Sequence, residues 1–127
     1  MKELTKAEEQ VMQVLWKLEK GFVNDILDHF PVPKPAYNTA STISRILVKK
    51  GFVAFKAFGN SHQYYPVISR KEYKHFCLKN IVGNYFDGSF EELVSFFARE
   101  NNLNVSELDE LMSHVQQDLK NKTDDGN

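Results

Sequence analysis

The sequence predicts a mainly α-helical chain with one small β-hairpin, and three observations carry that expectation. Tyr37 to Gly51 (YNTASTISRILVKKG) has helical periodicity and ends on glycine. Two β-patterned runs, Phe52–Ala57 and His62–Val67, follow it and flank the turn Phe58-Gly59-Asn60-Ser61. Three further stretches with helical apolar stripes lie beyond, each opened by a serine suited to cap a helix. Helix, glycine and hairpin in that order predict a winged helix-turn-helix domain over residues 1–68. The remaining stripes predict a helical dimerisation module over 69–119, and residues 120–127 are expected to be a disordered tail.

Taken in order, Thr5 and Glu8 form a capping-box pattern, and Ala7, Val11, Val14, Leu15 and Leu18 recur at helical spacing to about Glu19. Met12 and Trp16 flank that stripe and are expected in the core or at its edge. Gly21 ends the segment, leaving Phe22 to supply a short strand against the hairpin. Val23, Ile26, Leu27 and Phe30 mark a second helix from Val23 to Phe30. The prolines in PVPKP, residues 31–35, then exclude a helix and stiffen the connection. His29 reads as a surface or core-edge histidine rather than a ligand.

On the helix that follows, Ala40, Ile43, Ile46 and Leu47 fall on one side at about 100° per residue, and Asn38, Ser41, Thr42, Arg45 and Lys49 on the other. The polar side has no carboxylate, and no Asp or Glu occurs between Asp28 and Glu72. A solvated helix face normally mixes both signs. Amide, hydroxyl and guanidinium groups without an acid to repel phosphate are what a helix in the DNA major groove requires. Asn38 and Arg45 have the geometry for bidentate base contacts. Thr39, Ser41 and Thr42 are candidates for base or phosphate contacts. Lys49, Lys50 and Lys56, with Asn60 and His62 near the hairpin tip, are candidates for the phosphate backbone.

Ser69 with Glu72 caps a helix from Arg70 to about Tyr85, with Tyr73, Phe76, Cys77 and Ile81 on its apolar stripe. Asp87-Gly88 breaks it. Ser89 with Glu92 opens the next, bearing Phe90, Leu93, Val94, Phe97 and Ala98, and Asn101-Asn102 interrupts that one. Ser106 is expected to cap the last helix, with Leu108, Leu111, Met112, Val115 and Leu119 on one face. Phe90, Leu93, Val94, Phe97, Leu108, Leu111 and Val115 are the proposed dimer contacts. A short appendage to an already complete domain most economically buries such stripes against a second copy of itself. Folding back onto the first domain is the alternative.

Charge is distributed to match. The net value is −1, yet residues 34–75 carry eight Lys/Arg against Glu72 alone, and residues 76–127 carry four against ten Asp/Glu. No apolar run approaches the ~18 residues of a membrane span, and MKELTKAEEQ lacks the apolar segment of a signal peptide, so a cytoplasmic protein without membrane insertion is expected. The single cysteine, Cys77, excludes an intramolecular disulfide or a Cys-rich metal site and reads as a buried small hydrophobe. No cofactor or metal is expected. An enzyme finds no support: there is no glycine-rich phosphate loop, no HExxH and no Ser/His/Asp set that the helices would bring together. A winged-helix protein-interaction module is the alternative to a DNA-binding repressor, but it would not need the acid-free stretch or a polar stripe with Arg45.

EEQVMQVLW, TASTISRILVKKGFV, HQYYPVIS and FDGSFEELVSFF together resemble the BlaI/MecI penicillinase-repressor family of bacterial winged-helix regulators, over about residues 4–115. The resemblance implies a homodimeric repressor on a palindromic operator. It places the reading helix at Asn38–Lys50, the wing around Phe58–His62, and the dimer helices between Arg70 and Val115. Members of the β-lactam branch are inactivated by cleavage within the dimerisation segment. The resemblance thus offers a signal-activated protease as a partner, but this chain has Phe96-Phe97 where that branch has Asn-Phe, which counts against the same cleavage here. The related copper-responsive repressors carry a cysteine-rich C-terminal site, which Cys77 alone does not supply.

Overall fold

The computed structural model describes residues 1–123, whose elements run α1 (Lys6–Leu18), α2 (Val23–Asp28), α3 (Tyr37–Lys49), β1 (Val53–Phe58), β2 (Ser61–Pro66), α4 (Arg70–Tyr85), α5 (Phe90–Glu100) and α6 (Val105–Thr123). They form two compact units that divide between Leu78 and Lys79, inside α4.

In the first unit, α1 begins as its capping pattern requires. Thr5 Oγ1 accepts from the Glu8 amide at 3.2 Å, and Glu8 Oε1 accepts from the Thr5 amide at 2.9 Å. Val11, Met12, Val14 and Leu15 are buried against Val23, Ile26 and Phe30, with Ala40 and Leu47 of α3 and Phe52, Val53 and Tyr64 of the hairpin. Ala7, expected on the buried stripe, is exposed, and Glu8 is buried beside it. A carboxylate tolerates that position because both the cap and Lys50 satisfy it.

The hairpin pairs Val53 with Pro66 through to Phe58 with Ser61, the register expected, with each strand bounded one residue nearer the turn. Gly59 takes φ +62° at the first central position of the two-residue turn, the place where a type II′ turn requires a positive φ. The expected third strand reduces to one residue. Gly21, not Phe22, exchanges backbone hydrogen bonds with Tyr64, at 2.9 and 2.8 Å. Phe22 instead meets the Phe58 ring edge-on at 5.6 Å.

The first half of α4 belongs to this unit, which moves the division ten residues beyond the expected one at 68/69. Ser69 and Glu72 form the reciprocal cap. The Tyr73 ring lies 5.5 Å from Phe52 and 6.1 Å from Trp16, and its hydroxyl accepts from the Leu4 amide at 2.9 Å. Burial pushes the Tyr73 phenol up to about 12. Trp16 Nε1 donates to the Ile68 carbonyl at 2.9 Å.

In the second unit the apolar face of α4 rotates: Ile81 is exposed and Val82 is buried, the reverse of the stripe read from Tyr73, Phe76 and Cys77. At the start of α5 the Glu92 amide donates to Ser89 Oγ at 3.2 Å, without the reciprocal bond of a full capping box. The cap of α6 is Asn104, not Ser106. Asn104 Oδ1 accepts from the Glu107 amide at 2.8 Å, and Glu107 Oε1 accepts from the Asn104 amide at 3.1 Å. The same helix continues through Lys120 to Thr123, so the expected tail does not begin at 120, and its last residues, 124–127, lie outside the described ones.

Candidate nucleic-acid interface

Helix α3, on which the sequence expects the base contacts, follows the proline-rich connection and starts from Ala36, whose side chain makes no cap. Ala40, Ser44 and Leu47 anchor it. Ser44 is fully buried because its hydroxyl donates to the Ala40 carbonyl one turn back, at 2.8 Å, which leaves no unpaired polar group in the core. Ile46, expected in the apolar face, is 37% exposed, and Ile43 is half-buried. The buried line therefore runs through 40, 44 and 47 rather than through both isoleucines.

That anchorage leaves Asn38, Thr42, Arg45 and Lys49 exposed along one line, with Arg45 Nη2 donating to Thr42 Oγ1 at 3.4 Å. Ser41 is half-buried and, with Arg45, lines a groove of about 570 Å³ between α3, the start of α2 and the hairpin. Tyr37, Phe22, Phe58, Asn60, Ser61, His62 and Tyr64 complete most of its wall. Thr39 is exposed on another side, where it lines a notch with Ile43, Phe30 and the proline segment. The helix therefore separates Thr39 from the groove-facing residues.

At the wing, Ala57 pairs with His62 and Lys56 with Gln63, so Lys56 and His62 lie on opposite faces of the hairpin. The His62 ring stacks on Phe55 at 4.1 Å and 11°, and the Lys56 ammonium sits 5.4 Å from the centre of the Phe58 ring. Asn60 is exposed at the turn.

Lys50 departs from the expected set. Its ammonium donates to Glu8 Oε1 at 2.6 Å, on the side of α1, and the residue is half-buried. Burial opposes ionisation of Glu8, but the hydrogen bond and charge of Lys50, with the Thr5 amide and hydroxyl, outweigh it and hold the carboxyl below its usual range. The sequence expects Lys50 at the phosphate backbone; its ammonium is instead engaged by Glu8.

Tyr37 and Tyr64 are among the groove residues that the sequence did not single out. Tyr37 precedes Ser41 by four and Arg45 by eight, so extending that line one turn toward the N-terminus would have found it. Tyr64 had no such signal, because only its pairing with Gly21 and the docking of α3 bring it under the groove. Burial raises the Tyr64 phenol above its ordinary value, the positive charge of Arg45 draws it back and Tyr37 adds to the rise; all three residues line the groove.

In the second unit, no residue of α5 is buried. Phe90, Val94 and Phe97 on α5 and Leu111 and Val115 on α6 are exposed, Phe97 at 47%, and Leu93 and Leu108 are half-buried. Phe97, Leu103 and Leu111 line one shallow hollow between α5 and α6. Phe96 is turned differently, its ring 5.5 Å from Phe86. Among the described residues no helix is long and apolar enough to cross a membrane.

Comparison with known proteins places this geometry. The penicillinase repressor family pattern matches residues 4–117. The methicillin resistance regulatory protein MecI of Staphylococcus aureus (strain N315) is 29% identical over 110 residues, covering 86% of this chain and 89% of that protein. The penicillinase repressor of Bacillus licheniformis is 22% identical over 121 residues, 94% of each chain. A solved CopR repressor structure is 28% identical, covering 54% of this chain and all of its own, with a TM-score of 0.44. With a polar helix beside a hairpin and a family match over nearly its whole length, the chain belongs to the BlaI/MecI penicillinase-repressor family and is a DNA-binding transcriptional repressor, not an enzyme.

Proposed function

We propose that the protein works as a homodimer on a palindromic operator, each copy placing α3 in the major groove and its wing on the adjacent backbone. The observation that carries the reading is the exposed line Asn38, Thr42, Arg45 and Lys49, free of carboxylates and set beside the hairpin. Asn38 and Arg45 supply bidentate base contacts, and Ser41 and Thr42 supply base or phosphate contacts. Thr39 contacts the backbone at the N-terminal end of the helix. Lys49, Lys56, Asn60 and His62 position the protein through phosphates.

Dimerisation is supported by the apolar surface of the second unit, where Phe90, Val94, Phe97, Leu111 and Val115 are exposed among the described residues. Patches of this kind mark association surfaces. A closed two-fold dimer repeats one patch on both subunits, and a two-fold protein reads a two-fold site. Two linked reading heads also gain effective concentration over either alone.

The test is a gel shift with the DNA upstream of the protein's own reading frame, run beside sedimentation of the same preparation. A dimer whose binding resists excess competitor DNA, but falls by orders of magnitude as salt rises from about 50 to 200 mM, is expected. A monomer, or binding that competitor removes fully, would refute the reading.

A further inference from the structure

Resting on that reading of α3 and the wing, we infer that the groove between them seats one phosphodiester of the bound DNA, with the hydroxyls of Tyr64 and Tyr37 donating to its oxygens. Tyr64 is only 2% exposed, yet its hydroxyl has no hydrogen-bond partner among the described residues and is not sealed from solvent. It lines the groove. A buried side chain beside an open groove, whose one polar atom keeps solvent contact and has no partner among the described residues, is a donor in waiting.

The surroundings fit a phosphate better than a base edge. A helix lying in the major groove and a wing on the backbone beside it leave one stretch of strand to cross the gap between the two elements. Tyr37, 52% exposed at the first turn of α3, stands on one wall and His62 on the other, and Arg45 supplies positive charge at the rim. Asp25, at the α2 end, is the carboxylate on this rim, and its Oδ2 is occupied by the Phe22 amide at 2.9 Å. Tyrosine hydroxyls are ordinary phosphate donors, and they position the duplex without reading its sequence.

Tyr64→Phe is a clean probe, since it removes an oxygen with no partner in the protein and keeps the buried ring. Tyr37→Phe does the same on the exposed wall. The DNA is a duplex that the parent selects from a randomised pool, prepared also with single methylphosphonates scanned along each half-site. Each variant is expected to keep the parental urea midpoint and to lose on the order of tenfold in affinity for every sequence alike. The salt slope should not change, because a neutral donor releases no counterion. At one position per half-site, methylphosphonate should weaken the parent more than it weakens Tyr64→Phe. Parental affinity in Tyr64→Phe, or equal methylphosphonate effects on both proteins at every position, would overturn the seat while leaving DNA binding intact. A parent that selects no duplex would instead overturn the operator reading itself, and the seat with it.

Discussion

Lys50, at the C-terminal end of the reading helix, donates to the Glu8 carboxylate at 2.6 Å, and the same Glu8 oxygen caps the start of α1. One carboxylate thus ties the first helix to the third. The two lysines at the end of α3 have different surroundings, although they are adjacent in sequence: Lys49 is exposed and Lys50 is paired with Glu8. Lys50→Ala should therefore cost about 2–3 kcal/mol of stability in urea unfolding, less than a fully buried pair because Lys50 keeps some solvent contact. Its salt slope in DNA binding should match the parent's. Lys49→Ala and Lys56→Ala should do the opposite, each lowering the slope by about 1 at unchanged stability. A reduced slope in Lys50→Ala with full stability would return that lysine to the phosphate set.

The same pair sets an acid limit. Glu8 is held below its ordinary value of 4.5, so below that pH the unfolded chain takes up a proton that the folded chain resists. The stability contributed by Glu8 is complete above the unfolded value and is lost as pH falls through the lower folded one. Glu8→Gln should flatten the stability profile on the acid side of 4.5 and leave a lower plateau at neutral pH. Unfolding midpoints measured from neutral pH down to about 3 will show whether the two profiles converge, as expected, or stay parallel, which would remove Glu8 from the acid response.

Arg45→Ala and Asn38→Ala should each lose about 1–3 kcal/mol of operator binding and relax the preference at one position per half-site. Selection of bound sequences from a randomised pool reads this directly. If Arg45→Ala selects the parental sequence at parental affinity, α3 presents a different face to DNA.

Phe97→Asp places a charge in the middle of the exposed apolar surface of the second unit, and Leu93→Asp does so at a half-buried position beside it. Because Phe97 is open in the single chain, the aspartate costs little there, but in an apolar interface it costs several kcal/mol. Either variant should sediment as a monomer with a folded first unit and most of its operator affinity lost. A Phe97→Asp monomer that binds the full operator as the parent does would show that pairing is not required.

Much of the fold was legible because local chemistry decides it. Thr5 and Glu8, Ser69 and Glu72, and the glycine in the hairpin turn all act within three or four residues, and their pattern in the sequence is their geometry in the structure. The same rule misled at Ser106, where Asn104 three residues before Glu107 satisfies the identical pattern and wins the cap. The stripe on α3 was legible on its polar side, since exposure there needs no partner. Its buried side was not: Ser44 looks polar in sequence, and only its bond to Ala40 qualifies it for the core in place of Ile46.

By itself the sequence determined the order of elements, the segregation of basic charge onto the third helix and hairpin, the family, and the apolar stripes of the C-terminal helices. Periodicity, capping and charge are properties of neighbours along the chain, and they survive without any tertiary contact. The tertiary structure decided what each side chain of the interface is free to do. Glu8 and Lys50 stand 42 positions apart, and Tyr64 comes under α3 only once Gly21 has paired with it. No periodicity links such positions. The Lys50–Glu8 ion pair and the unpartnered hydroxyl of Tyr64 follow from packing between elements, which is where the chemistry of this surface is set.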